Sequence, residues 1–387
     1  MDPKSAARAR FQAIQEQMIA LSHRIHAHPE LGFEEEQAST WVAEALTDAG
    51  FAVTKGICDL PTALHAQVGH GPLHLGICAE YDSLPDVGHA CGHNIIAAMS
   101  VGAAIAAAAV ADEVGLTVHL IGTPAEEMGG GGKILLLERG AFRGLHAAMM
   151  VHPSPTDNAT PVTLANSYFE VHYHGKEAHA AAFPERGINA ADAMTVAQVA
   201  LGLLRQHIRS TDRIHGIITR GGVAPNVIPA HTSARYAVRA ETLADLDDIR
   251  MKVRRCFEAG ALATGATLDI VGERPSYGQL RHDAAISAAY RQNAEALGRI
   301  FPPVGGPIRP GGSTDMGNVS LALPSIHPMI GIDSLPATNH QPEFAAHCIT
   351  AAADKALVDG ALAMAWTAID LATEASLCQR LLQRPLA

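Results

Sequence analysis

Apolar residues recur at alternating spacings of three and four through Phe11, Ile14, Met18, Leu21 and Ile25, which sets them on one face and predicts an amphipathic first helix. From there to about Pro153, short apolar runs alternate with helical stretches. Leu73–Ala79, Leu116–Gly122 and Ala147–Val151 read as strands. Strands separated by helices predict an α/β unit whose mostly parallel sheet is flanked by helices. The polar clusters Glu80-Tyr81-Asp82 and Glu126-Glu127, and His152, each fall just after one of these runs. In open α/β sheets that end of the strands is where ligands bind.

A second pattern begins after the Pro- and Thr-rich segment Ser154–Thr163. It runs strand (Tyr168–His174), helix (Asn189–Ile208), strand (Ile214–Thr219), strand (Thr232–Ala240), helix (Leu243–Ala263), strand (Thr267–Val271). This βαββαβ order predicts a ferredoxin-like α+β module. The first pattern resumes after about Tyr277, passes through the Gly/Pro-rich stretch Pro302 to Gly312, and closes on an Ala-rich helix near Ala351–Ala372. The expected organisation is a discontinuous domain of residues 1–164 and 278–387, with a second domain, 165–277, inserted into it.

Composition narrows the classes of function. The 387 residues are 48% hydrophobic, enough chain for two or three domains with packed cores. Acids outnumber bases 39 to 28, a net charge of -11, which argues against a nucleic-acid partner because such binding rests on Lys and Arg neutralising phosphates. The uncharged stretch Asn94–Ala111 falls short of the ~20 apolar residues that cross a bilayer and reads as a buried helix, so no membrane partner is expected. Charges at Asp2, Lys4, Arg8 and Arg10 precede any apolar run, unlike a signal peptide, and a cytoplasmic location is the expectation. Six scattered cysteines fit reduced thiols rather than a disulfide framework. The outlying number is 21 histidines, the commonest metal ligand.

Their densest cluster is His89-Ala90-Cys91-Gly92-His93-Asn94. Three donors at every second position of an extended loop point one way, so two or three can reach one metal. A buried thiol beside helix-capping histidines is the plainer alternative for either residue type alone. The second cluster is Pro124-Ala125-Glu126-Glu127, followed by Gly129 to Gly132. Consecutive side chains diverge, so one carboxylate can bind metal while its neighbour takes a proton from an activated water; a solvated pair at a helix start is the alternative. The glycine run departs from the phosphate-loop pattern at Glu127 and at Ile134. His152 and His340 are further candidate ligands, although either could be a surface histidine. Neither His-Glu-x-x-His nor Gly-x-Ser-x-Gly occurs.

Five motifs then appear in a familiar order: His26-Ala27-His28-Pro29-Glu30-Leu31-Gly32-Phe33-Glu34-Glu35, Glu80-Tyr81-Asp82-Ser83-Leu84-Pro85, His89-Ala90-Cys91-Gly92-His93, Pro124-Ala125-Glu126-Glu127, and His340-x-Pro342-x-Phe344. Spread over nearly the whole chain, they resemble peptidase family M-twenty, the dinuclear metallo-amidohydrolases that include aminoacylases, carboxypeptidases and auxin-amino-acid hydrolases. Gly311-Gly312-Ser313-Thr314-Asp315-Met316-Gly317-Asn318-Val319-Ser320 further resembles the p-aminobenzoyl-glutamate hydrolase and Xaa-Arg dipeptidase subgroup.

The resemblance implies two divalent ions, zinc or manganese with cobalt or nickel as alternatives, held by Cys91, His93, Glu127, His152 and His340, with Cys91 bridging. It makes Glu126 the general base and Asp82 a residue that orients a ligand. It further implies that the inserted domain is a lid and pairs two subunits, that His179 stabilises the oxyanion of the neighbouring active site, and that Asn226 and Arg239 hold the substrate's carboxylate. Asn94 stands where the auxin-hydrolase branch has Asp, which removes a charge beside the ligands and bears on metal affinity. The expected activity is a homodimeric, metal-dependent hydrolase that cleaves the amide bond of an N-acyl amino acid, a dipeptide or an aryl-amide conjugate. Hydrolytic deamination of an amino-substituted acid on the same centre, or a non-catalytic metal- or peptide-binding module, are the alternatives.

Overall fold

The computed structural model describes residues 2–302 and 312–384, so most of the Pro302–Gly312 stretch, Gly311 included, lies outside the described residues. Two compact units result: residues 1–162 with 280–387, and 163–279.

The first unit begins with two helices where the apolar stripe predicts one. α1 (Pro3–Gln12) is capped by Asp2, whose side chain accepts from the Ser5 N–H, and α2 (Gln15–Ala27) follows a break at Ala13-Ile14. The stripe survives the break, and Phe11, Ile14, Met18, Leu21 and Ile25 are all buried. The chain continues through α3 (Glu36–Asp48), β1 (Ala52–Lys55), β2 (Leu64–Val68), β3 (Leu73–Ala79), α4 (His93–Ala108), α5 (Ala111–Val114), β4 (Leu116–Gly122), α6 (Gly132–Glu138), β5 (Ala147–Met149) and β6 (His152–Ser154).

The second unit is β7 (Ala165–His174), α7 (Ala190–Leu204), β8 (Arg213–Arg220), β9 (His231–Ala240), α8 (Leu243–Thr264) and β10 (Thr267–Val271). The chain then returns to the first unit through α9 (Ala284–Ala296), α10 (Met316–Ala322), β11 (Ser325–Ile326), β12 (Met329–Gly331), α11 (Pro342–His347), α12 (Ala351–Thr373) and α13 (Ala375–Leu382).

The main sheet of the first unit has the order β1-β2-β4-β3-β5-β11, and β12 pairs with β6 in a separate two-stranded sheet. In the main sheet the pairs β4/β3, β3/β5 and β5/β11 are parallel, and β1/β2 and β2/β4 are antiparallel. It is thus a mixed sheet with a parallel centre, flanked by helices as the alternating pattern predicts. One face buries Leu73, Leu75, Ile77, Val118 and Leu120 in a core shared with α1, α2, α4 and α12. The opposite face carries Cys78, Ile121 and Ala148 into a smaller core with Leu136 of α6 and Met316 and Val319 of α10. α4 is buried on nearly every side, which small Ala and Gly side chains permit. α12 is long and apolar enough to cross a membrane by length and composition; Ala356, Leu357, Ala361, Met364 and Ala365 bury it in the core instead.

The second unit is an antiparallel sheet of order β10-β7-β9-β8. Phe169, Val171, Tyr173, Tyr236 and Val238 on its inner face pack against Leu201 of α7 and Val253 and Phe257 of α8. This order is the one a ferredoxin-like βαββαβ unit requires. β8 is an edge strand, and its Ile217 and Ile218 are exposed.

Candidate metal centre

Three strand ends supply the site. β3 runs into Glu80-Tyr81-Asp82, β4 into Thr123–Glu127, and β5 is followed by His152 at the start of β6. Because β4/β3 and β3/β5 are parallel, these segments emerge along one edge of the sheet. Cys91 and His93 join them through a turn rather than the extended loop the alternation suggests. Gly92 is left-handed at φ +81°, and a Cβ there would lie 2.9 Å from Pro153 Cγ, so glycine alone fits. His340 is itself left-handed at φ +72°, held by its N–H to Ala90 O at 2.8 Å.

The five expected ligands come together. Cys91 Sγ lies 3.6 Å from both His152 Nε2 and His340 Nε2. Glu127 Oε1 is 3.9 Å from His93 Nε2 and 3.7 Å from His340 Nε2. Cys91, His93 and His152 form one cluster with ligand geometry, and Cys91, Glu127 and His340 another, so Cys91 is common to both. Both buried rings have a defined tautomer: His93 Nδ1 donates to Asp82 Oδ1 at 2.9 Å, and His152 Nδ1 donates to Pro153 O at 2.7 Å. Each Nε2 is the ring nitrogen left facing inward, and it binds metal in the form that carries no proton there. Asp82 does double duty, since its Oδ2 accepts from the Glu127 N–H at 2.8 Å.

Buried atoms without partners test whether the donor set fits cations. His93 Nε2, Glu127 Oε1 and Glu80 Oε2 are buried and make no hydrogen bond. An unpartnered buried polar atom costs about 1–3 kcal/mol, and three facing one another call for something between them. Thiolate, imidazole and carboxylate donors suit borderline divalent ions. The site is also short of positive charge. Burial, then the charges of Glu80, Glu127 and Asp315, push the Glu126 carboxyl well above the usual carboxylate range. His93 responds the other way: burial opposes its charge, but Asp82 and Glu80 prevail and hold it well above the usual imidazole range. Burial brings His152 down to about 4, so it stays neutral and ligand-ready near neutral pH.

Several participants escape a reading of the sequence. Lys133, fully buried, pairs through Nζ with Glu80 Oε1 and with Asp315 Oδ1 at 2.8 Å, and its backbone N–H donates to Asp315 Oδ2 at 2.9 Å. Glu35 accepts from Thr62 Oγ1 and from the Ala125 N–H, both at 2.8 Å. His327 is buried with its ring centroid 5.5 Å from that of His152. Of the His89-Cys91-His93 triplet, Cys91 and His93 converge, while the buried His89 ring lies 6.1 Å from that of His26. Asn94 holds Ser22 Oγ at 2.9 Å and Cys348 O at 3.2 Å through its amide, two bonds that a carboxylate could not donate.

The remaining three predicted residues belong to the second unit. The backbone of His179 bridges Val227, Ala180 N–H donates to Asn226 O at 3.0 Å, and His179 Nδ1 accepts from the Ala182 N–H at 3.2 Å. His179 and Asn226 are therefore neighbours before the start of β9. Arg239 stands near the other end of that strand, its Nη2 3.4 Å from Tyr168 OH. At ~3.3 Å per residue, β9 separates Arg239 from the Asn226 turn by roughly 25 Å within one chain.

Comparisons with known proteins identify the family. Residues 166–264 match the peptidase dimerisation domain family. Over 385 residues the chain is 39% identical to mouse (Mus musculus) Xaa-Arg dipeptidase, covering 95% of this chain and 88% of the relative. It is 32% identical over 280 residues to a p-aminobenzoyl-glutamate hydrolase polypeptide of Escherichia coli, covering 67% of this chain and 58% of that one. A solved structure from Bacillus subtilis, described as a dinuclear metal-binding peptidase, shares the fold at a TM-score of 0.70 and 23% identity, covering 93% of this chain and 99% of that one. The chain belongs to peptidase family M-twenty and is a metallo-amidohydrolase of the dipeptidase type.

Proposed function

We propose that this enzyme holds two divalent cations, zinc or manganese, on Cys91, His93, Glu127, His152 and His340, and cleaves the amide bond of a small substrate that bears a free carboxylate. Dipeptides, N-acyl amino acids and aryl-amide conjugates are the candidate classes, and the names of the relatives favour Xaa-Arg dipeptides and p-aminobenzoyl-glutamate. The observation that carries this reading is the shared Cys91: its sulfur belongs to both ligand clusters, so it could serve two cations at once.

When bound, the cations acidify a water molecule and polarise the scissile carbonyl. Glu126 takes the proton of the attacking water and delivers it to the leaving amine nitrogen, the role its place in the His93-Glu126-Glu127 cluster supports. Asp82 keeps His93 in the ligating tautomer and fixes the backbone of Glu127. His179 donates to the developing oxyanion, and Asn226 and Arg239 hold the substrate's carboxylate. Their separation along β9 supports a grip shared between two subunits, and the exposed Ile217 and Ile218 on edge strand β8 support a homodimer formed through the inserted unit. All six cysteines are unpaired, which supports a cytoplasmic location.

Metal analysis of the purified protein, with steady-state kinetics on Xaa-Arg and other dipeptides, N-acyl amino acids and p-aminobenzoyl-glutamate, tests the proposal. Two ions per subunit and amide cleavage in at least one class are expected. A metal-free active enzyme, or ammonia release from amino-substituted acids in place of amide cleavage, contradicts it.

A further inference from the structure

We propose that Glu80 is a sixth protein ligand of the metal centre, held for that task by Lys133. The inference rests on the dinuclear reading above and adds to it a residue that the five-ligand set leaves out.

Glu80 follows β3 directly and its side chain is fully buried. Its two oxygens have different surroundings. Oε1 is taken by Lys133 Nζ, whereas Oε2 has no hydrogen-bond partner and lies 3.3 Å from His93 Nε2. His93 Nε2 is itself unpartnered, while Nδ1 of the same ring gives its proton to Asp82. A lone pair on nitrogen and a carboxylate oxygen at this distance, both buried, repel each other unless a cation lies between them or a proton is added. The His93–Glu80 contact lacks the geometry of an N–H···O bond, which favours the cation.

Charge balance points the same way. Were Glu80 only the counter-ion of Lys133, it would be redundant. Asp315 already meets that lysine twice, through Nζ at 2.8 Å and through the backbone N–H at 2.9 Å. One buried ammonium against two buried carboxylates leaves a surplus negative charge that falls to His93 or to a bound cation, since a buried charge left unpaired is costly. The surplus faces the metal cluster: carboxylate oxygens of Glu80, Glu126 and Asp315 lie within 4.8 Å of one another, and Glu126 belongs also to the cluster with His93 and Glu127. A carboxylate that ligates through one oxygen while the other is held by a donor is a common arrangement at metal centres. Lys133 is that donor, and it turns Oε2 toward His93.

The test titrates the metal-free full-length protein with Zn2+ and, separately, Co2+, comparing wild type with Glu80→Gln and Glu80→Asp. Glu80→Gln keeps the shape and can still accept from Lys133, but it loses the anionic donor. Wild type is expected to bind two ions. Glu80→Gln is expected to bind one of them about tenfold or more weakly, with a changed cobalt d–d absorption spectrum, and Glu80→Asp is expected to fall between the two. Equal affinities and superimposable cobalt spectra in wild type and a folded Glu80→Gln overturn the proposal and leave Glu80 as a counter-ion alone. If Glu80→Gln does not fold, Glu80→Asp decides: unchanged affinity and spectrum in that variant overturn the proposal. A wild type that binds no metal overturns the dinuclear reading as well, so the two failures are distinguishable.

Discussion

Glu35 accepts the backbone N–H of Ala125 at 2.8 Å, and Ala125 sits in the left-handed region at φ +54°, where a residue with a Cβ is strained. The bond ties a residue at the end of the first motif to the turn that presents Glu126 and Glu127, 90 positions away. Burial, then the Asp82 charge, raise the Glu35 carboxyl to about 7.

That shift has a definite sign. The folded state keeps a proton on Glu35 that the unfolded chain loses at ordinary carboxylate pH, so this contribution to stability is full at low pH and lost as pH rises toward 7. In the metal-free protein, Glu35→Gln should therefore gain on wild type by roughly 2–3 kcal/mol between about pH 5 and pH 8. Urea denaturation at both pH values measures the gap, and a gap that stays constant refutes the assignment.

Asp82 grips His93 with one oxygen and the Glu127 backbone with the other. Asp82→Asn leaves one acceptor oxygen for two donors, so either His93 Nδ1–H or the Glu127 N–H meets an amide NH2, and metal affinity should fall about 10–100-fold. Competition with a chelator measures it. An unchanged affinity would show that the ligands are held in place without Asp82.

Much of the fold is legible in the chain because it depends on local periodicity. Leu73–Ala79, Leu116–Gly122 and Thr267–Val271 are strands with the expected bounds, and the βαββαβ order survives as a four-stranded sheet. The break at Ala13-Ile14 is invisible to periodicity because it keeps the apolar face intact. The antiparallel pairing of β1 and β2 depends on which edges meet, which spacing does not encode. At the site, short motifs expose Cys91, His93, Glu126 and Glu127. Glu80, Lys133 and Asp315 act together across 53 and 182 positions, and the adjoining glycine run draws attention away from Lys133. The one available signal is Glu80 inside a polar cluster at a strand end.

The histidines without a site have a physical consequence of their own. His65, His119 and His74 form a ladder across β2, β4 and β3 with nitrogens 2.9 Å apart at both steps, and His146 accepts the His74 N–H at 3.0 Å. They line a cavity of about 700 Å³ where the smaller core gives out. Burial, then the neighbouring imidazoles, bring His119 down to about 3. The unfolded chain protonates His119 near pH 6.5 and the folded chain does not, so stability falls with pH below 6.5. His119→Gln should remove roughly 2 kcal/mol of the stability that wild type loses between about pH 7.5 and pH 5. Denaturant melts of both proteins at the two pH values test this, and an equal loss in both would exclude the ladder as a source of acid sensitivity.

The central claim is that Glu126 moves the proton while Cys91, His93, Glu127, His152 and His340 hold the cations. Glu126→Gln separates the two roles, because it removes the base and spares every expected ligand. Kinetics of that variant, loaded with metal and checked by elemental analysis, provide the most direct test. Two ions per subunit and a fall in kcat of at least about a hundredfold are expected; a metal-replete variant with near wild-type turnover would contradict this division of roles.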